Sequence, residues 1–241
     1  MDMREHRGNG TLIAILLAAL LAAGTFVWRD LDSRPIASVR IAGEFVNVSR
    51  DSLEQVVNGF LPSGFLRLDV EAVRRAAAGL PWVRRVSVRR VWPGSLHIAV
   101  VERVAVARWN DNAYLEADGT RFVPESITPD DGLVHLAGPE GSEEKVLKKY
   151  EQLTQSLAPL KTPVVEVSLD RRGAWRVALE SGLVLKLGRG ESLKRMAPYI
   201  ASLPRILGDR YEDAAQVDLR YRNGFAVRWR TTAKPEEDQS S

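Results

Sequence analysis

Residues 8–28 carry no charged side chain, and Arg7 and Arg29 bracket them. Within this stretch, residues 12–27 are almost wholly Leu, Ala and Ile. At about 1.5 Å per residue, 21 uncharged residues reach roughly 31 Å as a helix, close to the ~30 Å hydrocarbon core of a bilayer. Trp28 stands where an interfacial aromatic belongs. A cleaved signal peptide would have a shorter apolar run ending at a small-residue site. Ala22, Ala23 and Gly24 imitate such a site, yet the apolar run continues through Phe26, Val27 and Trp28. A buried helix of a soluble domain is rarely uncharged for this long. The stretch is therefore read as an uncleaved membrane anchor over residues 11–28.

Arginines flank the stretch on both sides, so charge alone does not orient it. A ten-residue tail is easily left inside, and long domains translocate largely regardless of charge. Residues 1–10 are accordingly expected in the cytoplasm and everything after Trp28 outside it.

The rest of the 241-residue chain is long enough for two small domains. With 45% hydrophobic and 27% charged residues it reads as globular rather than disordered. The net charge of +3 is dispersed, with no basic block, and is a poor basis for nucleic-acid binding.

Residues 37–41 alternate as a strand and stop at Gly43. Ser49 caps a helix running to about Phe60, with Leu53, Val56, Val57 and Phe60 as its apolar stripe. Asp69 caps a second, with Val70, Val73, Ala76, Ala77 and Leu80 inward, ended by Gly79 and Pro81. Val86 and Val88 then share one face of a strand, and Arg85, Ser87 and Arg89 the other. A turn at residues 92–95 returns the chain through Leu96, Ile98 and Val100. Strand, helix, helix, strand, strand over residues 36–104 makes a compact α+β domain with two helices on one face of a three-stranded sheet.

Residues 105–230 read as a second, mostly antiparallel β domain with two helices. An extended segment reaches Trp109, and residues 114–122 fold over Asp118-Gly119, a type I′ hairpin signal. A helix over residues 143–157 is capped by Ser142, with Glu143 and Glu144 favourably placed against its dipole. A three-stranded meander follows, with turns at residues 170–173 and 181–182. Residues 191–207 form the second helix, with Leu193, Met196, Ala197, Ile200, Leu203 and Leu207 at helical spacing, kinked or divided by Pro198 and Pro204. Residues 217–221 and 225–230 close the domain as a hairpin over Asn223-Gly224. Residues 231–241 are polar, aperiodic and expected to be disordered.

The chain has no Cys, and its three His, His6, His97 and His135, are far apart. Disulfides, thiolate metal sites, thiol catalysis and His-based triads have no raw material here. A membrane-anchored hydrolase would need a nucleophile–base set that this composition does not supply. Neither a catalytic site, a metal nor a cofactor is expected. Gly188-Arg189-Gly190 lacks the rest of a phosphate loop. Asp111, Glu116, Asp118, Asp130 and Asp131 sit in turns, where Asp bonds its own backbone.

The closing hairpin is the feature best suited to a partner. Phe225, Val227 and Trp229 share one face of its last strand, and Ala226, Arg228 and Arg230 the other. A last strand is often a sheet edge able to accept a strand from another protein, guarded here by Arg228 and Arg230. The same aromatics could equally fill the core.

An ordered series runs through the chain: Leu80-Pro81-Trp82-Val83, Val86-Ser87-Val88-Arg89, Arg90-Val91-Trp92-Pro93, Leu96-His97-Ile98, Val101-Glu102-Arg103 and Ala107-Arg108-Trp109-Asn110. Leu187-Gly188-Arg189-Gly190 with Lys194-Arg195, and Val217-Asp218-Leu219-Arg220-Tyr221 with Gly224 and Trp229, extend it. The series resembles the polypeptide-transport-associated (POTRA) domain and following β domain of the FtsQ/DivIB family of bacterial cell division proteins. The resemblance covers residues 12–230. It implies a non-enzymatic scaffold of the inner membrane at the division septum. The implied partners are FtsB and, through it, FtsL, with contacts to FtsK, FtsW, FtsI and FtsN. It further implies that the closing strand pairs with a strand of FtsB, which points to Tyr221, Gly224, Trp229 and Arg189. Phe225 stands where the family often has a small residue and joins the site on the strand pattern alone. The same resemblance points to Arg85, Val88 and Arg90 as a recruitment surface on the POTRA domain. The very short cytoplasmic tail departs from the family's pattern, so little recruitment is expected of it.

Overall fold

The computed structural model describes residues 14–25, 35–127, 132–189, 192–221 and 224–230. Residues 14–25 form a helix, α1, whose Ile15, Leu16, Leu17, Leu20 and Leu21 are 55–70% exposed. Among the described residues no helix is long and apolar enough to cross a membrane. Residues 11–13 and 26–28 of the expected anchor lie outside the described residues, as do the tails at 1–10 and 231–241. The chain divides into two compact units, one ending at Arg103 and one beginning at Val104.

In the first unit the strands are β1 (Ser38–Ala42), β2 (Val83–Val91) and β3 (Ser95–Glu102), with helices α2 (Arg50–Asn58) and α3 (Val70–Ala78). The sheet order is β1-β3-β2, with β1 parallel and β2 antiparallel to the central β3. Both caps form as expected: the Ser49 hydroxyl accepts from Ser52 N at 3.4 Å, and Asp69 accepts from Glu71 N and Ala72 N at 3.0 and 2.9 Å. Leu53, Val57, Val73 and Ala77 of the helices meet Val86, Leu96, Ile98 and Val100 of the sheet in one core. The α2 helix is shorter than expected, because a 3₁₀ turn at Leu61–Ser63, entered through Pro62, follows it.

Among the described residues the second unit holds nine strands: β4 (Ala107–Trp109), β5 (Ala113–Leu115), β6 (Arg121–Phe122), β7 (Val134–Ala137), β8 (Val164–Leu169), β9 (Ala174–Leu179), β10 (Val184–Arg189), β11 (Ala214–Asp218) and β12 (Ala226–Trp229). They form one sheet in the order β12-β11-β10-β9-β8-β7-β4-β5-β6. The expected β8–β9–β10 meander is present and antiparallel. The sheet is mixed rather than uniform, since β4–β7, β7–β8 and β10–β11 pair in parallel. Helices α4 (Glu143–Leu157) and α5 (Ser192–Leu207) bury Val146, Leu147, Leu153, Leu157, Ile200 and Leu203 in the same core as Val167, Val177 and Leu185 of the sheet.

Four local expectations change. Gly119 N donates to Glu116 O, while Ala117 and Asp118 keep ordinary negative φ and Gly119 takes φ +83°. This is a type I turn followed by a left-handed glycine, not a type I′ turn, and it leaves room for a longer loop. Ser142 precedes α4 but makes no side-chain cap: its φ −103°, ψ 8° lie outside the extended conformation of a cap, and its hydroxyl turns back to donate to Pro139 O at 2.5 Å. Helix α5 is a single element that neither Pro198 nor Pro204 divides; side chains 190–198, including Leu193, Met196 and Ala197, lie outside the described residues. Strand β11 starts at Ala214, earlier than the alternation suggests, and stops at Asp218.

Candidate functional site

Strand β12 is the end of the nine-stranded sheet: it pairs with β11, and no described strand pairs with its other side. Ala214 faces Trp229, Gln216 faces Arg228, Val217 faces Val227 and Asp218 faces Ala226, with an irregularity between Ala214 and Gln216. Arg230 N donates to Asp213 O at 2.8 Å, so the inward backbone bonds belong to the even positions. Alternation along the strand then turns the N–H groups of Val227 and Trp229 outward.

The side chains of β12 divide as its alternation requires. Phe225, Val227 and Trp229 are half-buried and pack against the core, whereas Ala226, Arg228 and Arg230 are exposed. The Arg210 guanidinium lies over the Trp229 ring at 4.0 Å from its centroid. Trp229 is thus held on both sides by its own chain. Arg230 does not stand guard over the edge: its guanidinium donates to Ser181 O at 2.5 Å, on the β9–β10 turn. Arg228 alone retains that role.

The sequence-derived candidates fall at two ends of the strand. Tyr221, 57% exposed, and Gly224 precede β12, and Arg189 closes β10. Since β10 and β11 run parallel, with Lys186 beside Asp218, Arg189 belongs to the same end as Tyr221 and Phe225. Trp229 is at the opposite end, beside a pocket of about 270 Å³ lined by Thr162, Ser181, Leu183, Tyr211, Glu212 and Arg230. Asn223, the other turn residue expected, lies outside the described residues.

One ion pair at the Tyr221 end escaped sequence reasoning. Arg220 Nε donates to both oxygens of Asp218 at 2.8 and 3.0 Å, and Arg220 N donates to Oδ1 at 3.1 Å. The Arg220 side chain bonded to it holds the Asp218 carboxyl below the usual carboxylate range, against the opposing effect of burial. Gly188, at φ +76°, permits this arrangement, because a Cβ there would come within 3.1 Å of Arg220 Cγ. Opposite charges two apart on a strand share a face, and that was the available signal. At the Trp229 end, burial raises the Tyr211 hydroxyl above its ordinary range.

On the first unit the three recruitment candidates do not form one patch. Arg85 is exposed on the uncovered face of the sheet. Val88 and Arg90 lie on the helix-covered face, opposite Ile98 and Leu96; Val88 is half-buried against the core, and Arg90 donates to Leu66 O at 2.8 Å. The two-residue alternation of β2 thus separates Arg85 from Val88 and Arg90.

Among the described residues no cluster of His, Asp and Glu could hold a metal ion. Asp118 accepts from Thr120 N and Asp170 from Arg172 N and Ala174 N, which are turn-forming bonds. The His135 ring and Asn110 O lie 2.8 Å apart.

Two family descriptions match the two units: the FtsQ-type POTRA domain over residues 34–103, and the C-terminal region of cell division protein FtsQ/DivIB over residues 107–220. Cell division protein FtsQ of Escherichia coli (strain K12) is 34% identical, with 98% of this chain and 91% of that protein aligned. The chain belongs to the FtsQ family. FtsQ of Coxiella burnetii is also 34% identical, over 91% of this chain and 90% of its own length. The FtsQ of Neisseria meningitidis is 29% identical over 94% and 96%. The match to the FtsQ/DivIB C-terminal region ends at Arg220, just before Tyr221 and the β12 edge.

Proposed function

We propose that this FtsQ-family chain is a non-enzymatic scaffold of the division machinery, held in the inner membrane by residues 11–28 with its bulk outside the cytoplasm. It recruits FtsB by adding an FtsB strand to the outer edge of β12, and FtsL joins through FtsB. The observation that carries this reading is the position of β12 at the end of the sheet, with the Val227 and Trp229 N–H groups turned outward. Backbone bonds supply affinity in strand addition, and flanking side chains supply register and selectivity. Tyr221, Gly224, Phe225 and Arg189 at one end and Trp229 at the other frame that edge. A partner tethered in the same membrane gains effective concentration, so a modest intrinsic affinity suffices. Arg85, Val88 and Arg90 of β2 remain the proposed recruitment residues, and FtsK, FtsW, FtsI and FtsN are further proposed partners at the septum.

Tyr221 is the anchor to test, because it is exposed while Trp229 is committed to its own core. Calorimetry of the full chain in detergent with the extracytoplasmic segment of FtsB should give a saturable complex. Tyr221→Ala should weaken it by about 1–2 kcal/mol with the melting temperature unchanged. Equal binding by native and variant chains would remove Tyr221 from the site. Failure of the native chain to bind would remove FtsB as the direct partner of this edge.

A further inference from the structure

One face of the three-stranded sheet is covered by α2 and α3, and the other by no described element of its unit. The uncovered face is set by alternation: Val39, Ile41, Val86, Leu96, Ile98 and Val100 turn to the core, so Arg40, Arg85, Ser87, Arg89, His97 and Val101 turn away. The register puts Arg40 directly opposite His97, and His97 directly opposite Arg89. Arg40 and Arg89 therefore flank His97 in one row across three strands, a width of about 10 Å. Arg85 lies on the same face, opposite Val101, which is 53% exposed. No strand position on this face is acidic.

Arginines gathered on one sheet face without an acidic neighbour repel one another. A face that served only as solvated surface would gain from a Glu or Thr at one of these positions. The row is better accounted for by a polyanionic surface that neutralises its arginines together. Ser38 begins β1 only ten residues after Trp28, so this sheet is confined to within about 33–36 Å of the end of the hydrophobic segment. That confinement favours the bilayer as the anionic surface.

We propose that the uncovered face of the first unit's sheet, centred on Arg40, His97 and Arg89, rests on the anionic lipid headgroups of the bilayer that holds residues 11–28. This rests on the anchor reading above. Each arginine near an anionic bilayer is worth about a fivefold gain in contact. Replacing Arg40 and Arg89 together should therefore reduce the docked population roughly twenty-five-fold, and high salt should act in the same direction.

The chain has no cysteine, so single probes can be placed cleanly. Ser87→Cys on this face and Glu54→Cys on α2 would each carry an environment-sensitive fluorophore, in the full chain reconstituted into nanodiscs. Nanodiscs containing phosphatidylglycerol should blue-shift the Ser87 probe and protect it from aqueous quencher, while zwitterionic nanodiscs should not. Arg40→Gln with Arg89→Gln, or 0.5 M salt, should abolish the difference, and the Glu54 probe should not respond. An unchanged melting temperature, or a raised one, shows that the double variant is folded. Anchored chains whose Ser87 probe is the same in both lipids, or responds equally without the arginines, would overturn the headgroup contact alone. Protection that appears only on adding an acidic protein partner would overturn it in favour of a protein surface. Chains that fail to enter nanodiscs would overturn the anchor reading, and the tether on which the contact depends.

Discussion

Two carboxylates show how single side chains stabilise this fold. Glu102, at the end of β3, accepts from Val46 N and Val48 N through Oε1 at 3.1 and 2.9 Å and from Asn47 N through Oε2 at 3.1 Å. One side chain thereby ties down the loop that leads into α2. Glu102→Ala should cost about 2 kcal/mol, seen as a lower denaturation midpoint at unchanged slope, with Glu102→Gln intermediate. Asp218 is the pH-sensitive counterpart. Its carboxyl is held low by Arg220, so the native state favours the ionised form more than the unfolded chain does. The stability this contributes is full above about pH 4 and is lost as pH falls through the native value. Asp218→Asn should flatten the fall of melting temperature with acid in that window, while leaving the Arg220 N–H an oxygen to bond. An acid limb unchanged by the substitution would show that other carboxylates set it.

At the scale of elements, the proposed partner edge rests on β12. Its inward bonds come from alternate residues, so proline can be placed without harming the sheet. Val227→Pro removes an outward N–H and keeps an apolar side chain toward the core; edge strands tolerate it. Binding of an added strand should fall by tenfold or more while the melting temperature moves little. Collapse of the fold instead would place the Val227 N–H inside the ladder. The elements that alternation and capping made legible were those with strong local signals: the Asp69 cap, the Val86 and Leu96–Val100 faces, and the Asp170 turn. Ser142 misled because its backbone is not in the extended conformation of a cap and its hydroxyl turns to Pro139 O, neither of which helix-end composition encodes. Strand β7 escaped because four residues are too short for a period to emerge, though it pairs in parallel with both β4 and β8.

Across the whole molecule, each of the two units closes its own hydrophobic core, one built round Leu53, Leu96 and Ile98 and the other round Trp109, Leu136 and Leu185. Leu53 is wholly buried, so Leu53→Ala should cost about 2–5 kcal/mol. Hydrogen exchange should show that loss in residues 35–103, with protection in residues 104–230 and binding at β12 retained. Accelerated exchange in both units would show that they open together. What the sequence determined by itself was whatever depends on neighbours along the chain: the uncharged stretch at residues 8–28, two helices and three strands in the first unit, and the meander in the second. It also identified the family, because an ordered series of short segments survives where contacts cannot be seen. Only the tertiary structure decided that β12 ends the sheet and that Trp229 is spent on Arg210 and the core. It also decided that Val88 and Arg90 face the helices while Arg85 faces away, and that His97 stands between Arg40 and Arg89. Each of these depends on strand order or cross-strand register, which join residues dozens of positions apart and leave no periodic trace along the chain.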